Sequence, residues 1–167
     1  EFRRVLFRSV TNVETLEFEA ATTSVVLGAE AAEAGIVTIT NKAVVTSLTL
    51  GATFTNDVSI TLAAANLNDN ILAGSYTGVL SLVEAADNID GNDTFTGGTG
   101  TSDTLTITSS STAITSAELA GVTAFDTIAF KTNVANVGLT LHDNNVAAGK
   151  SLTVDGSAMT STALTVS

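Results

Sequence analysis

The chain has 167 residues, a net charge of −11 and no Cys, Pro or Trp. The lack of Cys excludes disulfides and thiolate sites, and the negative charge argues against nucleic acid and anionic membranes, which would repel it. Because 44% of the residues are apolar, we expect the chain to fold rather than to remain disordered.

The first nine residues differ in composition from all that follow. Residues 1–9 contain Arg3, Arg4 and Arg8, which are all the Arg of the chain, and they include no initiator Met. We interpret them as an artefactual leader that is foreign to the domain, and the alternative is a basic docking arm. No window of about 20 apolar residues follows, so no membrane-spanning segment is predicted.

From residue 10 onward, Thr or Ser alternates with aliphatic residues. This period of two predicts short, half-buried strands with the aliphatic side chains inside and the hydroxyls outside. The segments that show it are 37–40, 47–50, 59–62, 104–108, 139–141, 152–154 and 164–166. The side chains predicted to lie inside are Leu48, Leu50, Ile60, Leu62, Leu105 and Ile107. Helical patterns are short, at 29–34 and 116–119.

Two adjacent segments repeat with a period of 12 residues. Residues 47–57 and 59–69 are identical at six of eleven positions, and both end in Asn-Asp. Repetition of one strand-turn unit is typical of solenoids. We therefore predict an all-β fold, a parallel β-solenoid of the β-helix or β-roll kind, in which neighbouring units stack about 4.8 Å apart. The alternative is an antiparallel β-sandwich with hairpin turns at the Asp-Gly pairs 90–91 and 155–156.

A longer repeat relates the beginning of the chain to its last third. Residues 10–18 match residues 122–130 at an offset of 112, with the same Val, Thr, Thr and Phe at four positions. We therefore predict a first β-repeat module at 10–121 and the start of a second, truncated module at 122–167.

Residues 87–105 combine acidic, amide and glycine residues and lead directly into a strand. Asp and Asn supply side-chain oxygens, and Gly permits tight turns that direct carbonyls to one point. Ca²⁺ takes about six to eight such oxygens. The stretch resembles the repeats-in-toxin nonapeptide, Gly-Gly-x-Gly-x-Asp-x-hydrophobic-x, which forms a calcium-bound β-roll. Residues 91–95 match the second half of one unit and 97–100 the first half of the next, whereas 101–103 have one residue too many before the Asp.

The resemblance implies one calcium site rather than a row of shared ions, because two imperfect units are too few for a row. The ligands it implies are Asp93, Asp103 and the carbonyls of Gly91, Gly98 and Gly100, with Asp87, Asp90, Asn92 or Asp69 completing the site. The alternative is that this stretch is a plain solvated turn.

Thr- and Ala-rich segments at 13–16, 35–39, 145–149 and 152–158 resemble the β-segments of bacterial surface-layer proteins and large secreted adhesins. The resemblance implies an extracellular, non-enzymatic structural segment at the bacterial cell surface. It also implies self-association with like modules into a lattice or filament, with calcium as the cofactor.

Catalytic patterns are weak throughout the chain. His142 is the only His and is interpreted as a surface turn residue, and the acidic residues lack the aromatic platforms of sugar-cleaving enzymes, since Tyr76 is the only Tyr. We therefore expect no enzyme. The alternative function is an ice-binding solenoid, because Thr-x-Thr strands such as 38–40 and 104–106 would place Thr in ranks. The pattern is irregular at 47–49, 59–61 and 80–82.

Overall fold

The computed structural model describes residues 10–21, 24–43, 46–62, 68–108, 113–131, 138–159 and 164–167. Short strands with alternating exposure dominate these residues, as the Thr and aliphatic alternation predicts. In chain order they are β1 (Thr15–Phe18), β2 (Val25–Leu27), β3 (Thr38–Asn41), β4 (Leu48–Leu50), β5 (Val58–Leu62), β6 (Asn70–Leu72), β7 (Leu80–Glu84), β8 (Thr94–Thr96), β9 (Thr104–Ile107), β10 (Val122–Thr123), β11 (Thr127–Phe130), β12 (Gly138–Leu139), β13 (Thr153–Asp155) and β14 (Thr165–Val166).

The strands form two parallel sheets that face each other across the core. The odd sheet has the order β1-β3-β5-β7-β9-β11-β13, and the even sheet has the order β10-β8-β6-β4-β2, while β12 pairs with β14. Every pairing between these strands is parallel. The chain is therefore a parallel β-solenoid, as predicted, and the antiparallel sandwich is wrong.

One coil of the solenoid contains two strands rather than one. Residues that pair across neighbouring odd strands are 21 to 26 positions apart, as for Ile39 with Ile60 and Ile128 with Val154. The period of 12 is therefore half a coil. Consecutive units lie in opposite sheets, so the expected stacking of each unit on its neighbour is wrong. The pattern gives the length of a strand-turn unit but does not give the sheet that the next strand joins.

The core lies between the two sheets and is continuous along the coil axis. The six side chains predicted to be inside are all buried, at 5% exposure or less, which confirms that part of the alternation. Larger side chains fill the corners, where the rings of Phe54 and Tyr76 stack with centroids 5.8 Å apart. Burial of each such side chain stabilises the fold by about 1.5–3 kcal/mol.

The α-helix α1 (Ala29–Ala34) lies at the corner between β2 and β3, where the sequence predicts a short helix. Ala31 and Ala34 are buried against the core, and Gly35 ends the helix in the left-handed conformation, with φ 95°. Two 3₁₀ turns, at Ala86–Asn88 and Asp143–Asn145, occupy other corners. Among the helices that the structure describes, none is long and apolar enough to cross a membrane.

The odd sheet continues across residues 121 and 122, where the sequence places a module boundary, because β9 pairs directly with β11. The division into modules at 10–121 and 122–167 stays a prediction. The leader predicted at 1–9 lies outside the described residues.

Candidate functional site: two carboxylate corners

The structure divides the predicted calcium stretch between two corners of the coil. The first corner is the turn 85–93 between β7 and β8, and the second corner is the turn 97–103 between β8 and β9. The strand β8 separates them by about 10 Å of extended chain. The first corner contains Asp87, Asp90, Gly91, Asn92 and Asp93, and the second contains Gly98, Gly100 and Asp103.

At the first corner, the Asp93 carboxylate fixes both its own turn and the neighbouring coil. Its Oδ2 accepts a hydrogen bond of 2.8 Å from the backbone N–H of Asp90, and its Oδ1 accepts one of 3.0 Å from the backbone N–H of Asp69. The Oδ1 of Asp90 in turn accepts from the backbone N–H of Asn92 at 2.7 Å. Asp93 is buried, and this burial raises the pKa of its carboxyl group.

Three other buried polar side chains lie outside the turn 85–93, on strand ends and in a turn of this and earlier coils. They are Asn41, Asp69 and Glu84. The amide Nδ2 of Asn41 donates to Oδ1 of Asp69 at 3.3 Å, which links two coils. The predicted extra ligand Asp69 is thus next to Asp93.

Glu84 has an unusual environment for a carboxyl group. Burial raises its pKa to about 7, and the charges of Asp69 and Asp93 act in the same direction. Hydrogen bonds from the side chain of Asn88 and the backbone N–H of Ala85 oppose this shift, at 3.0 and 2.7 Å from Oε1. Near neutral pH, Glu84 therefore takes up protons that an exposed Glu would not.

At the second corner, Asp103 is buried and bonds to two backbone segments. Its Oδ1 accepts from the backbone N–H of Leu80 at 2.8 Å, and its Oδ2 accepts from that of Gly98 at 2.7 Å. Burial raises the pKa of Asp103, and the charge of Asp126 adds to the effect. Each carboxylate oxygen thus satisfies a backbone donor that burial would leave without water.

Two more aspartates precede odd-sheet strands and bridge coils in a similar way. The Oδ2 of Asp126 accepts from the backbone N–H groups of Ser102 and Asp103, at 2.7 and 2.9 Å. The Oδ1 of Asp57 accepts from the backbone N–H of Val79 at 2.9 Å. A carboxylate just before an odd strand is therefore a recurrent way of fixing one coil to the next.

The glycines of the second corner are required by close packing between coils. A Cβ atom on Gly98 would lie 2.6 Å from the carbonyl oxygen of Tyr76, and one on Gly100 would lie 2.9 Å from that of Gly78. Both distances are shorter than real contacts, so a side chain there would force coils apart. The hydroxyl of Tyr76 donates to the carbonyls of Asn56 and Val79.

The structure does not bring the eight predicted calcium ligands to one point. Asp93 and Asp103 share no partner, and each uses both carboxylate oxygens for backbone N–H groups. Within the described ranges, no group of three or more His, Cys, Asp and Glu could hold a metal. Calcium binding stays a prediction, and the structure places Asp93 and Asp103 beyond opposite ends of β8.

Two buried polar side chains, Glu84 and Asn145, do not stand out in the sequence. Glu84 could have been found, because it occupies an inward position at the end of the alternating segment 80–84. Asn145 is buried and donates to the carbonyls of Leu119 and Val122 at 2.8 and 2.7 Å, which a turn sequence does not reveal. His142 precedes a 3₁₀ turn, and its Nδ1 accepts from the N–H of Asn144 at 3.1 Å.

Comparisons of the chain with protein-family models, with curated proteins and with solved structures found no match. Functional inference therefore depends on the fold and on the geometry of its corners and faces.

Proposed function

We propose that the chain is a non-enzymatic structural segment of an extracellular surface protein, in a surface layer, filament or adhesin. The observation that carries the proposal is the open-ended odd sheet. Within the described part of the chain, its terminal strands β1 and β13 each have a neighbour on one side only. An open parallel edge offers backbone N–H and C=O groups to a further strand, so such a stack grows by adding coils.

The hydrogen bonds between coils support a mechanical role for the segment. Asp57, Asp103 and Asp126 each accept backbone hydrogen bonds from a neighbouring coil, in addition to the regular sheet hydrogen bonds. Aligned strands are spaced by about 4.8 Å, so the odd sheet is roughly 29 Å long. A stiff segment of this kind suits a spacer or lattice element.

The cell-surface location, the bacterial setting and the calcium dependence rest on the resemblance to surface-layer and repeats-in-toxin sequences. The net charge of −11 agrees with the calcium dependence, because carboxylate oxygens are ligands that Ca²⁺ takes. Association with like modules follows from the open edges.

Sedimentation velocity and electron microscopy at rising protein concentration, with calcium or EDTA, test the association. We expect linear assemblies whose mass grows with concentration, and a strictly monomeric chain in calcium would contradict the proposal. Val154→Lys places a charge at the open β13 end and should shorten the assemblies. Thr49→Lys adds the same charge to the outer face of the even sheet and should leave them unchanged.

A second candidate function, ice binding, is favoured by one specific observation on the odd sheet. The strand register aligns outward hydroxyls in every strand of that sheet. The aligned residues are Thr15, Thr38, Ser59, Ser81, Thr104, Thr127 and Thr153. The segments 47–49, 59–61 and 80–82 do not break this column: 47–49 belongs to the even sheet, and the other two contribute Ser59 and Ser81.

Hydroxyls repeated every ~4.8 Å can order water along the sheet. In a thermal-hysteresis assay, this candidate predicts activity that Thr104→Tyr abolishes. Thr96→Tyr, on the outer face of the opposite sheet, is the matched control and should retain the activity. Native protein without hysteresis would exclude ice binding and leave the structural proposal intact.

A further inference from the structure

We infer that residues 10–18, the N-terminal end face, are an interface for the β8–β9 coil (residues 94–107) of a preceding copy of the module 10–121, in which β8–β9 is the last coil. The inference rests on the proposed structural role and names the surface and the partner. It depends on comparing the end face with residues 122–130, its sequence counterpart within the same solenoid.

The two segments have the same backbone path. Asn12 and Ala124 occupy equivalent positions 112 residues apart, and both are left-handed, with φ of 62° and 60°. A non-glycine residue rarely adopts this conformation, so its recurrence at the matched position shows that the repeat is structural as well as sequential. The strands that follow, β1 and β11, belong to the same sheet.

The two copies differ in what covers them. Val10 is 41% exposed, whereas its counterpart Val122 is 2% exposed and is paired with Phe95 of β8. Leu16 is only half-buried, whereas its counterpart Ile128 is fully buried.

The same contrast applies at the end of the strand. Phe18 is half-buried, and Phe130 is 2% exposed because β11 pairs with β9. In the C-terminal copy, β9 places Leu105 beside Ile128 and Ile107 beside Phe130. The end face therefore keeps the apolar residues that fit a β8–β9 coil, but within the described ranges β1 pairs with β3 alone.

Polar groups of the end face match as well. In the C-terminal copy, the backbone N–H groups of Asp126 and Thr127 donate to the carbonyl of Asp103, at 3.0 and 3.1 Å. The Asp126 carboxylate accepts two N–H groups from the same coil. Glu14 occupies the position of Asp126 and also carries a carboxylate. The β8–β9 coil therefore offers backbone N–H donors for this carboxylate and a carbonyl acceptor for the backbone N–H groups of the end face.

The partner coil also has the space that this approach needs. A Cβ atom on Gly97 would lie 2.3 Å from the carbonyl oxygen of Ala124, so only glycine lets the left-handed residue of the next coil come this close. Asn12 would take the place of Ala124. Within this chain β9 already pairs with β7 and β11, so the partner is a preceding module that ends with its β8–β9 coil. The β13 end, which has another sequence, is the competing partner.

A transplant in the native chain tests the fit. Residues 122–130 receive the sequence of 10–18 through Ala124→Asn, Phe125→Val, Asp126→Glu, Ile128→Leu and Ala129→Glu. The control exchanges Thr127 and Ile128 (Thr127→Ile with Ile128→Thr), which keeps the composition but reverses the inward and outward sides of the first two residues of β11. We expect the transplant to fold. Its decrease in Tm relative to the native chain should be less than about a third of the decrease in the control. A loss as large as that of the control would overturn the inference.

A second measurement addresses the end face itself. In a tandem chain of residues 1–121 followed by 10–167, the peptide that spans the junction has a unique mass. We expect amide hydrogen exchange in its residues 13–18 to slow at least about tenfold relative to the native chain. Exchange in residues 13–18 that is the same in the tandem and native chains would overturn the assignment. Slow exchange of β1 in the native chain, caused by its pairing with β13 of another copy, would also overturn it. Failure of the native chain to assemble would affect only the proposed function.

Discussion

The Oδ1 atom of Asp103 accepts a hydrogen bond of 2.8 Å from the backbone N–H of Leu80, which lies one coil earlier. Asp103 is fully buried, and no Lys or Arg is paired with it among the described ion pairs. The fold therefore uses a buried carboxylate as an acceptor for backbone donors that burial would leave without water.

Replacing Asp103 by Ala should destabilise the chain by about 3 kcal/mol, because the buried N–H of Leu80 and the part-buried N–H of Gly98 lose their acceptor. Urea unfolding followed by circular dichroism measures this loss. Asp143→Ala removes an exposed carboxylate and should change the free energy of unfolding by less than about 0.5 kcal/mol. Equal effects of the two substitutions would contradict the role given to Asp103.

Stability should fall as the pH rises from about 4.5 to 7. The pKa of Glu84 is raised from 4.5 to about 7 in the folded state, so the folded chain binds more protons than the unfolded chain in this window. The raised pKa values of Asp93 and Asp103 act in the same direction. The Glu84 contribution amounts to about 3 kcal/mol at most.

Glu84→Gln tests the source of this pH dependence. A Gln side-chain carbonyl can accept from Asn88 and Ala85 as Glu84 does, but it does not titrate. We expect thermal melts of the variant to be flatter between pH 4.5 and 7 and its Tm at pH 8 to exceed that of the native chain. A Tm of the native chain that rises between pH 5 and 7 would contradict this expectation.

Calcium titration can now distinguish the two corners. The calcium prediction implies that EDTA lowers the Tm and that calcium restores it. The strand β8 separates Asp93 from Asp103, and we expect the calcium response to depend on Asp93, which lies in the same turn as Asp87 and Asp90. Asp93→Ala should blunt the calcium response, whereas Asp103→Ala should lower the Tm but leave the response intact. If calorimetry finds no calcium heat, the stretch is a structural turn.

Close packing between coils predicts a strong position dependence for glycine substitutions. A Cβ atom on Gly121 would lie 2.0 Å from the carbonyl oxygen of Asp93, so Gly121→Ala should destabilise the chain by about 3 kcal/mol. A Cβ on Gly138 would meet Ala113 at 3.4 Å, an ordinary contact, and Gly138→Ala should cost less than about 1 kcal/mol. Chemical denaturation of both variants checks the difference.

Much of the fold could be predicted because alternation is a local property. Leu48, Ile60 and Leu105 are inward as predicted, since a residue's side in a strand depends only on its neighbours. The coil length could not be predicted in the same way. The 12-residue repeat has the same appearance whether successive strands stack or face each other, and that choice is made by the turns between them.

The candidate site was harder to predict because the composition of a stretch does not reveal to which corner of the coil each of its side chains belongs. Asp93 and Asp103 lie in one acidic stretch of sequence, yet a three-residue strand sends them to different corners. The glycines that suggested metal-binding loops are required for contacts with coils more than twenty residues away, as Gly98 is with Tyr76. Such long-range contacts leave no local sequence signal.

Small-angle scattering and calorimetry of the tandem chain, residues 1–121 followed by 10–167, most directly test whether the protein is a segment of a longer solenoid. The added 112 residues correspond to the five coil steps from β1 to β11. The expected result is one unfolding transition, a higher Tm than the native chain, and a particle longer by roughly 24 Å. Two separate transitions, with a scattering profile of two beads joined by a flexible link, would contradict it.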